Sequence, residues 1–357
     1  MASKTQVENE FFRLKIDPDS GCITSLLDKV SKQEAIAPGG CGNLLQAFRD
    51  LPKEWDAWNI DADFENQKWD LNQAEEVKLI KQGPLEAVMR VVRKFQNSTF
   101  VQDIVVASGV PRVDIRTWAD WNEKHILLKA AFPVNVHNDM ATYEIPYGSI
   151  ERPTTRRNSF EQAMFEVPAL RWADLSNDQH GLSLLNDCKY GYDGKDNVLR
   201  LSLLRAPTWP DPHADEGRHE FTYSLYPHAG DWKQAMTVRQ GYELNYKLLA
   251  MPAEKHSGPL GAQHSYLRID PENVIVTAWK QAEDGDALIL RFYEWAGKAA
   301  EVRLRASRKV QSAIDVNLME EHAVALPFES EVVTVRTKPY EIKTVRLQFA
   351  DATKDPR

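Results

Sequence analysis

Between Arg205 and His219 the chain gathers three prolines, Trp209, the acids Asp211, Asp215 and Glu216, two histidines and two arginines. Polar side chains crowded onto a proline-stiffened loop at rigid strand ends are where binding chemistry usually lives. The competing reading is a solvated loop whose charges only pair with each other. The spacing His213-Ala214-Asp215 could suit a metal, but it reads as coincidence; His219-Glu220 starts a zinc-protease signature that fails at Tyr223. His219 with Asp215 or Glu220 would supply a histidine and a carboxylate for proton transfer. A second constellation is WDAWNID at 55–61. Trp55 and Trp58 offer two ring faces with Asp56 between them as an acceptor for vicinal hydroxyls, or else they are buried anchors. Tyr147 and Arg152, in YEIPYGSIERP, form a third group that reads more readily as a structural edge or domain contact.

The elements that must carry these groups are strands. Around the loop, strands are expected near Asn186, over Val198–Leu204 and over Glu220–Leu225, with a turn at Tyr192-Asp193-Gly194. Lys189, Tyr190 and Tyr192 stand beside the loop as its supports. Upstream, Asp17-Pro18-Asp19-Ser20-Gly21 is turn chemistry between two strands of a hairpin over 7–29. Period-two alternation marks further strands at about 76–82, 85–95, 99–107, 112–120 and 125–134. The best helix candidate is 231–240, starting at an Asp231 cap. Strands at regular spacing with few helices indicate stacked antiparallel sheets, an all-β sandwich architecture. The Pro/Gly/Ala-rich stretch MPAEKHSGPLGAQ at 251–263 suggests a boundary, giving a large β-domain over 1–255 and a small β-sandwich over 256–357. In the second part strands are expected at 264–269, 273–280, 286–293, 300–306, 309–315 and 331–347, with a frayed polar tail after Phe349.

Composition narrows the partners. The 357 residues carry a net charge of −8 and 27% charged residues. An acidic chain with scattered basic residues argues against nucleic acid. Apolar runs fall short of the roughly 18 residues that span a bilayer, and MASKTQ lacks the apolar core of a signal peptide. A cytoplasmic protein is expected, with no membrane partner. Cys22, Cys41 and Cys188 show neither metal spacing nor an even framework, which fits free thiols in a reducing compartment.

The segments NDCKYGYD, LRLSLLRAPTWPDPHADEGRHEFTYSLYPH, WDAWNID, YEIPYGSIERPT, FEVPALRWADLS and VENEFFRLKIDPDSGCITSLLDK together resemble the C-terminal half of class II α-mannosidases, glycoside hydrolase family 38, in its cytosolic and bacterial branch. The resemblance implies a large galactose-mutarotase-like super-sandwich followed by a smaller sandwich. It places the aspartate nucleophile, the acid/base carboxylate and a zinc ion in an N-terminal α/β domain that the sequence does not display. No catalytic or metal-binding residue is therefore assigned here, and the chain alone is expected to be inactive. Asp211, Asp215 and Glu216 could meet the separation of about 5–5.5 Å that a retaining glycosidase needs, but the resemblance puts the catalytic carboxylates elsewhere. It implies instead a wall of the mannose pocket, formed by Trp55, Asp56, Trp58, Asp211, Asp215 and Arg218, with Tyr147 and Arg152 further out. The partners implied are the protein's own catalytic domain, mannosides or oligosaccharides, and further subunits in the intact enzyme. A stand-alone carbohydrate-binding module and an epimerase-like enzyme are the alternatives. The tyrosine-containing Ser-Gly-Ala-Tyr segment of the Golgi and lysosomal branches is not matched by Trp55 to Trp58, so that tyrosine's role is transferred to no residue.

Overall fold

The computed structural model describes residues 5–350. Expectations for the first four residues and for the tail beyond 350 lie outside the described residues. Two compact units emerge, Met1–Ile145 with Ile150–Lys247, and Pro146–Ser149 with Leu248–Arg357.

In the first unit, alternation decides the architecture. Val113–Trp121 buries Val113, Ile115, Thr117, Ala119 and Trp121 and turns the residues between them outward. This strand lies in a nine-stranded sheet ordered Gly148–Pro153, Met140–Ile145, Trp172–Ser176, His180–Asn186, Gly217–Ala229, Val113–Trp121, Ser98–Ala107, Glu86–Phe95 and Glu76–Gln82. Against it stands a six-stranded sheet ordered Val167–Pro168, Gly191–Lys195, Val198–Leu204, Ile126–Pro133, Leu44–Arg49 and Lys68–Leu71. Ile126, Leu128, Ala130 and Phe132 from the smaller sheet share one core with Phe100, Ile104, Ile115 and Tyr223 from the larger. Each such side chain contributes about 1.5–3 kcal/mol by leaving water. A three-stranded sheet, Gln6–Glu8, Phe12–Ile16 and Ile23–Asp28, adds Val7, Leu14 and Ile16 to that core.

The second unit is a smaller antiparallel sandwich. Its four-stranded sheet runs Leu267–Asp270, Ala300–Ala306, Val332–Thr337 and Phe328–Glu329. Its five-stranded sheet runs Val274–Gln281, Leu288–Glu294, Ile342–Phe349, Val310–Val316 and Val324–Ala325. Leu290, Phe292, Val302, Leu304, Val333, Val345 and Leu347 form its core. The all-β reading holds in both units.

Four local expectations are corrected. Tyr192-Asp193-Gly194 is not a turn but the middle of the strand Gly191–Lys195; the chain reverses at Asp196, whose φ is 55°. Gly194 is small because a β-carbon there would meet the Tyr143 hydroxyl at 2.7 Å. The helix begins later than expected, at Thr237, and ends at Asn245. Asp231 instead accepts the Gln234 amide in a preceding turn, at 2.8 Å. The single strand expected over 331–347 is two, Val332–Thr337 and Ile342–Phe349, joined by a turn in which Tyr340 has φ 58°.

The fourth correction concerns the thiols. Cys22 and Cys41 are joined in a disulfide, and only Cys188 is free. Spacing does not signal the pairing, because strand geometry brings the two together: Ile23 and Gly42 bridge each other through both backbone bonds, at 2.8 and 2.9 Å. The pair closes a separation of 19 residues, for which chain entropy gives about 3 kcal/mol. Urea unfolding of a Cys22→Ser/Cys41→Ser chain is expected to show that loss, and reductant should no longer shift its midpoint. Equal midpoints for the native and doubly substituted chains would mean the bond does not form in solution.

Helix Thr237–Asn245 docks beside a buried polar network. His228 Nε2 faces Asp174 Oδ2 at 2.8 Å, and its Nδ1 faces the Gly230 carbonyl at 3.1 Å. Ser183 donates to Asp174 Oδ2 at 2.7 Å and meets the Thr237 hydroxyl at 2.7 Å. Both ring nitrogens face acceptors, so the imidazolium is the form that satisfies them. Burial pulls the His228 value down, but Asp174 and the backbone carbonyls outweigh it, and the net direction is up. A raised folded value means the contribution is complete below the ordinary imidazole value of about 6.5 and is lost as pH rises through the folded one. Urea midpoints should therefore fall above that range in the native chain, with a shallower slope in His228→Gln. Parallel slopes would count against the charged form.

Candidate functional site

Three adjacent strands of the six-stranded sheet end side by side. Leu44–Arg49 leads to Asp50, His125 precedes Ile126–Pro133, and Val198–Leu204 leads to Arg205. The ladder continues past the strand ends, since Asp50 N donates to the His125 carbonyl at 2.8 Å and His125 N to the Ala206 carbonyl at 2.7 Å. That register sets an acid, an imidazole and a guanidinium on one platform, and two loops, 50–63 and 205–216, are built over it.

Arg205 ties the loops together. Its Nε donates to Asp50 Oδ2, while Nη2 donates to the Asp56 and Asn59 carbonyls at 3.0 and 2.6 Å and Nη1 to the Ala57 carbonyl at 3.3 Å. In return, Asp56 Oδ2 accepts from Thr208 N at 2.6 Å, Trp209 N at 3.2 Å and Thr208 Oγ1 at 3.3 Å. Trp55 has a left-handed φ of 63°, and its carbonyl accepts from both Trp58 N and Asn59 N at 2.8 Å, closing a tight turn. This turn throws the indoles outward. Trp55 is 62% exposed, Trp58 67% and Trp209 53%. Trp58 and Trp209 meet edge to face with centroids 5.5 Å apart. Exposed indoles held on a rigid polar base can cover the apolar face of a sugar.

The expected residues divide. Trp55, Asp56 and Trp58 come together, but one Asp56 oxygen is spent on the neighbouring loop rather than left open for hydroxyls. Asp211 Oδ1 accepts the His213 amide at 2.9 Å, and exposed Asp215 has a left-handed φ of 60°. Arg218 is exposed on the strand opposite Asp120. Arg152 lies 4.9 Å over the Tyr143 ring. Tyr147 falls in the second unit, edge-on to Tyr293 at 5.4 Å. Lys189 stacks over Phe221 at 4.4 Å.

Acid–base alternatives in the loop lose their partners. His219 Nε2 is taken by the Asp215 carbonyl at 2.7 Å. Glu216 meets His213 at 2.8 Å and Lys124 at 3.3 Å, and the His213 hydrogen bond holds its carboxyl below the ordinary range, the wrong direction for a general acid. His137 and Asp139 share the His213 spacing, and Asp139 is paired with Arg157 at 2.7 Å. Among the described residues no group of three or more His, Cys, Asp or Glu is placed to hold a metal ion. The zinc implied by the resemblance does not fit these residues, and no step is derived through it.

The reading of the sequence missed Asp50, His125, Arg205, Thr208 and Trp209 as one unit. It also missed a charged cluster on the outer face of the same sheet. Lys129 pairs with Glu166 and, at 2.6 Å, with Asp193; Arg200 bridges Asp193 at 2.8 Å and Glu65 at 2.6 Å. Burial works to raise Glu65, but Arg200 and Lys195 outweigh it and hold its carboxyl at about 2. A cavity of about 310 Å³ opens beside this cluster, lined by Leu44, Gln46, Glu65, Val198 and Arg200 among others. Of its charged walls, Glu65 is already paired with Lys195 and with Arg200.

Comparison with known proteins agrees with this architecture. The sequence model of the "Glycosyl hydrolases family 38 C-terminal domain" matches residues 7–213, and that of the "Glycosyl hydrolases family 38 C-terminal beta sandwich domain" matches 273–345. Alpha-mannosidase 2C1 of Mus musculus is 38% identical over 349 residues, covering 96% of this chain and 33% of its own length. The Homo sapiens protein of that name is 41% identical over 319 residues, covering 88% of this chain and 30% of its own. The chain thus spans about a third of the length of these curated relatives. In fold it is similar to an alpha-mannosidase from Enterococcus faecalis V583, with a TM-score of 0.82 at 17% identity over 98% of this chain and 42% of that one. Among the described residues no helix is long and apolar enough to cross a membrane. Family sequence and antiparallel architecture converge: the chain belongs to glycosyl hydrolase family 38, as its C-terminal β-region.

Proposed function

We propose that this chain is the non-catalytic β-region of a longer, cytoplasmic, retaining α-mannosidase acting on terminal α-mannose, and that it supplies one wall of the mannose pocket. Trp55, Asp56 and Trp58 form that wall together with Trp209, with Asp211, Asp215 and Arg218 at its outer rim and Tyr147 and Arg152 in supporting contacts. The nucleophile, the acid/base group and the zinc come from the protein's own N-terminal domain, against which this region packs. The division of the chain into domains at 255–256 belongs to the same reading. The observation that carries it is the pair of exposed indoles, Trp58 and Trp209, held edge to face on a base made rigid by Arg205 and Asp56.

The test is turnover of an aryl α-mannoside by the full-length protein and by this chain, each with and without added zinc or cobalt. Only the full-length protein is expected to turn over. Within it, Trp58→Ala and Trp209→Ala should each lower kcat/KM roughly tenfold, the loss of one aromatic contact of about 1–1.5 kcal/mol. Turnover by this chain alone would overturn the assignment. Binding of mannosides by the chain alone, with turnover in the full-length protein unaffected by either substitution, would favour a carbohydrate-binding module, to which the exposure of the tryptophans also lends itself.

A further inference from the structure

The cavity beside the charged cluster is built over a gap in the outer face of the six-stranded sheet. Leu44, Ala131 and Arg200 stand opposite one another on three adjacent strands, and Pro133 pairs with Val198 two residues further along. Period two keeps positions 131 and 133 on one face. Between the long side chains of Leu44 and Arg200, Ala131 offers only a methyl group. That shortfall opens into the cavity of about 310 Å³, which all five residues line. The floor is therefore aliphatic, as small-molecule sites mostly are.

Two polar side chains line the same space, each pinned at one end and open at the other. Arg200 is 7% exposed. Its Nε donates to Asp193 Oδ1 at 2.8 Å and its Nη2 to Glu65 Oε1 at 2.6 Å, while among the described residues its Nη1 has no hydrogen-bond partner. Gln46 is buried to the same degree. Its Nε2 donates to Asp70 Oδ1 at 2.7 Å, which fixes the amide so that Oε1, an acceptor, is the open end. Both open atoms remain reachable by water. One donor and one acceptor are thus held in place before any ligand arrives.

Charge selects the ligand class. The charged residues lining the cavity are two acids, Glu65 and Asp196, and two bases, Lys195 and Arg200, which cancel. Glu65 already takes both bases. An anion would compete with a carboxylate already in place, and a cation would meet the guanidinium. A neutral ligand is favoured if it brings an acceptor for Arg200, a donor for Gln46 and an apolar face. Sugar hydroxyls are both donor and acceptor, and the C–H face of a pyranose is apolar. We propose that this cavity is a saccharide site separate from the tryptophan wall, taking a neutral pyranose unit whose C–H face lies on Leu44, Ala131, Pro133 and Val198 and whose hydroxyls meet Arg200 Nη1 and Gln46 Oε1. Leu44 opens the strand that leads to Asp50, so the platform under the indoles is about 20 Å away at roughly 3.4 Å per residue. The proposal stands whether or not that wall binds mannose.

Methyl-labelled NMR of this chain tests it, with methyl α-mannoside, methyl α-glucoside and methyl β-galactoside each added to about 50 mM. At least one glycoside is expected to shift the methyl signals of Leu44, Ala131 and Val198, with a Kd of roughly 1–10 mM for so few contacts. Gln46→Met, which removes the acceptor, should weaken that Kd roughly three- to tenfold. Leu44→Trp, which fills the cavity, should abolish the shifts at Ala131 and Val198. Unchanged methyl signals of Ile104 and Ile115 in the shared core certify the fold of each variant. No shift with any of the three glycosides, or the same titration in both variants, would overturn the proposal. So would a response to inorganic phosphate where the glycosides give none. The indole N–H signals of Trp55, Trp58 and Trp209 report the wall in the same titration, so the two sites fail or hold separately.

Discussion

Replacing Lys129 with methionine is expected to destabilise the first unit by about 3–5 kcal/mol, the usual cost of breaking a buried ion pair from one side. Lys129 and Asp193 have no exposed surface at all. The ammonium sits between Glu166 and Asp193 and 4.9 Å from the centre of the Phe64 ring. Without it Asp193 keeps Arg200, but Glu166 is left with the Ser202 hydroxyl alone, at 2.5 Å. Burial already pushes the Glu166 carboxyl up, against the pull of Lys129. Removing that pull moves it further, so in Lys129→Met the folded chain holds a proton on Glu166 that the unfolded chain releases at its ordinary value. A raised carboxylate destabilises the fold as pH rises from that ordinary value, about 4.3, through the folded one. The loss should therefore be small near pH 4.5 and complete at pH 8, in urea unfolding of the variant and the native chain side by side. A uniform loss, or one below about 1 kcal/mol, would mean the cluster is open to water. The companion Lys129→Met/Glu166→Gln should recover part of the stability at pH 8, because the stranded charge is gone.

The fold was legible because period two is hard to counterfeit. Alternation over 112–120 puts Val113, Ile115 and Thr117 on one face, and all three are buried. The turn at Asp17–Gly21 was legible for the same local reason: Asp17 Oδ1 accepts the Ser20 amide at 2.8 Å, and Gly21 takes the positive φ of 68°. What escaped was settled by partners far away in sequence. Gly194 looks like a turn residue until Tyr143 is placed against it. Cys22 and Cys41 look unpaired until the bridge between Ile23 and Gly42 is formed. Of the site, Trp55 and Trp58 were legible from WDAWNID only as ring faces or buried anchors; their exposure, their meeting with Trp209 and their supports were not. Arg205 reaches Asp50 across 155 positions and Thr208 reaches Asp56 across 152, distances over which no local pattern carries information. The signal available was weaker: Arg205 follows one expected strand and His125 opens another, but the strand Leu44–Arg49 that carries Asp50 was not expected, so the register that joins the three was out of reach.

Arg205 is where this register matters most for function, and Arg205→Met is expected to damage both stability and the wall. Asp50 is 2% exposed, and among the described residues Arg205 is the one side-chain partner of its Oδ2. Burial already raises its carboxyl, and Arg205 is the main influence that lowers it. Methionine keeps the packing of the arginine stem but strands this acid and releases the carbonyls of Asp56, Ala57 and Asn59. A loss of about 3–5 kcal/mol is expected. Two companions separate charge from geometry. Arg205→Met/Asp50→Asn removes the buried charge and should regain most of the stability, yet it restores no donor to the three carbonyls. Arg205→Lys keeps a charge beside Asp50 but cannot span the carbonyls with a compact ammonium. If the guanidinium serves the tryptophans rather than the fold alone, both companions should be nearly as stable as the native chain while exchange protection over 55–61 remains low. In the full-length protein they should lose roughly tenfold or more in kcat/KM on an aryl α-mannoside, the cost of a misplaced wall. Companions that regain protection over 55–61 along with stability would reduce Arg205 to a structural ion pair. The tryptophans would then be held by Asp56 through the Thr208 and Trp209 amides.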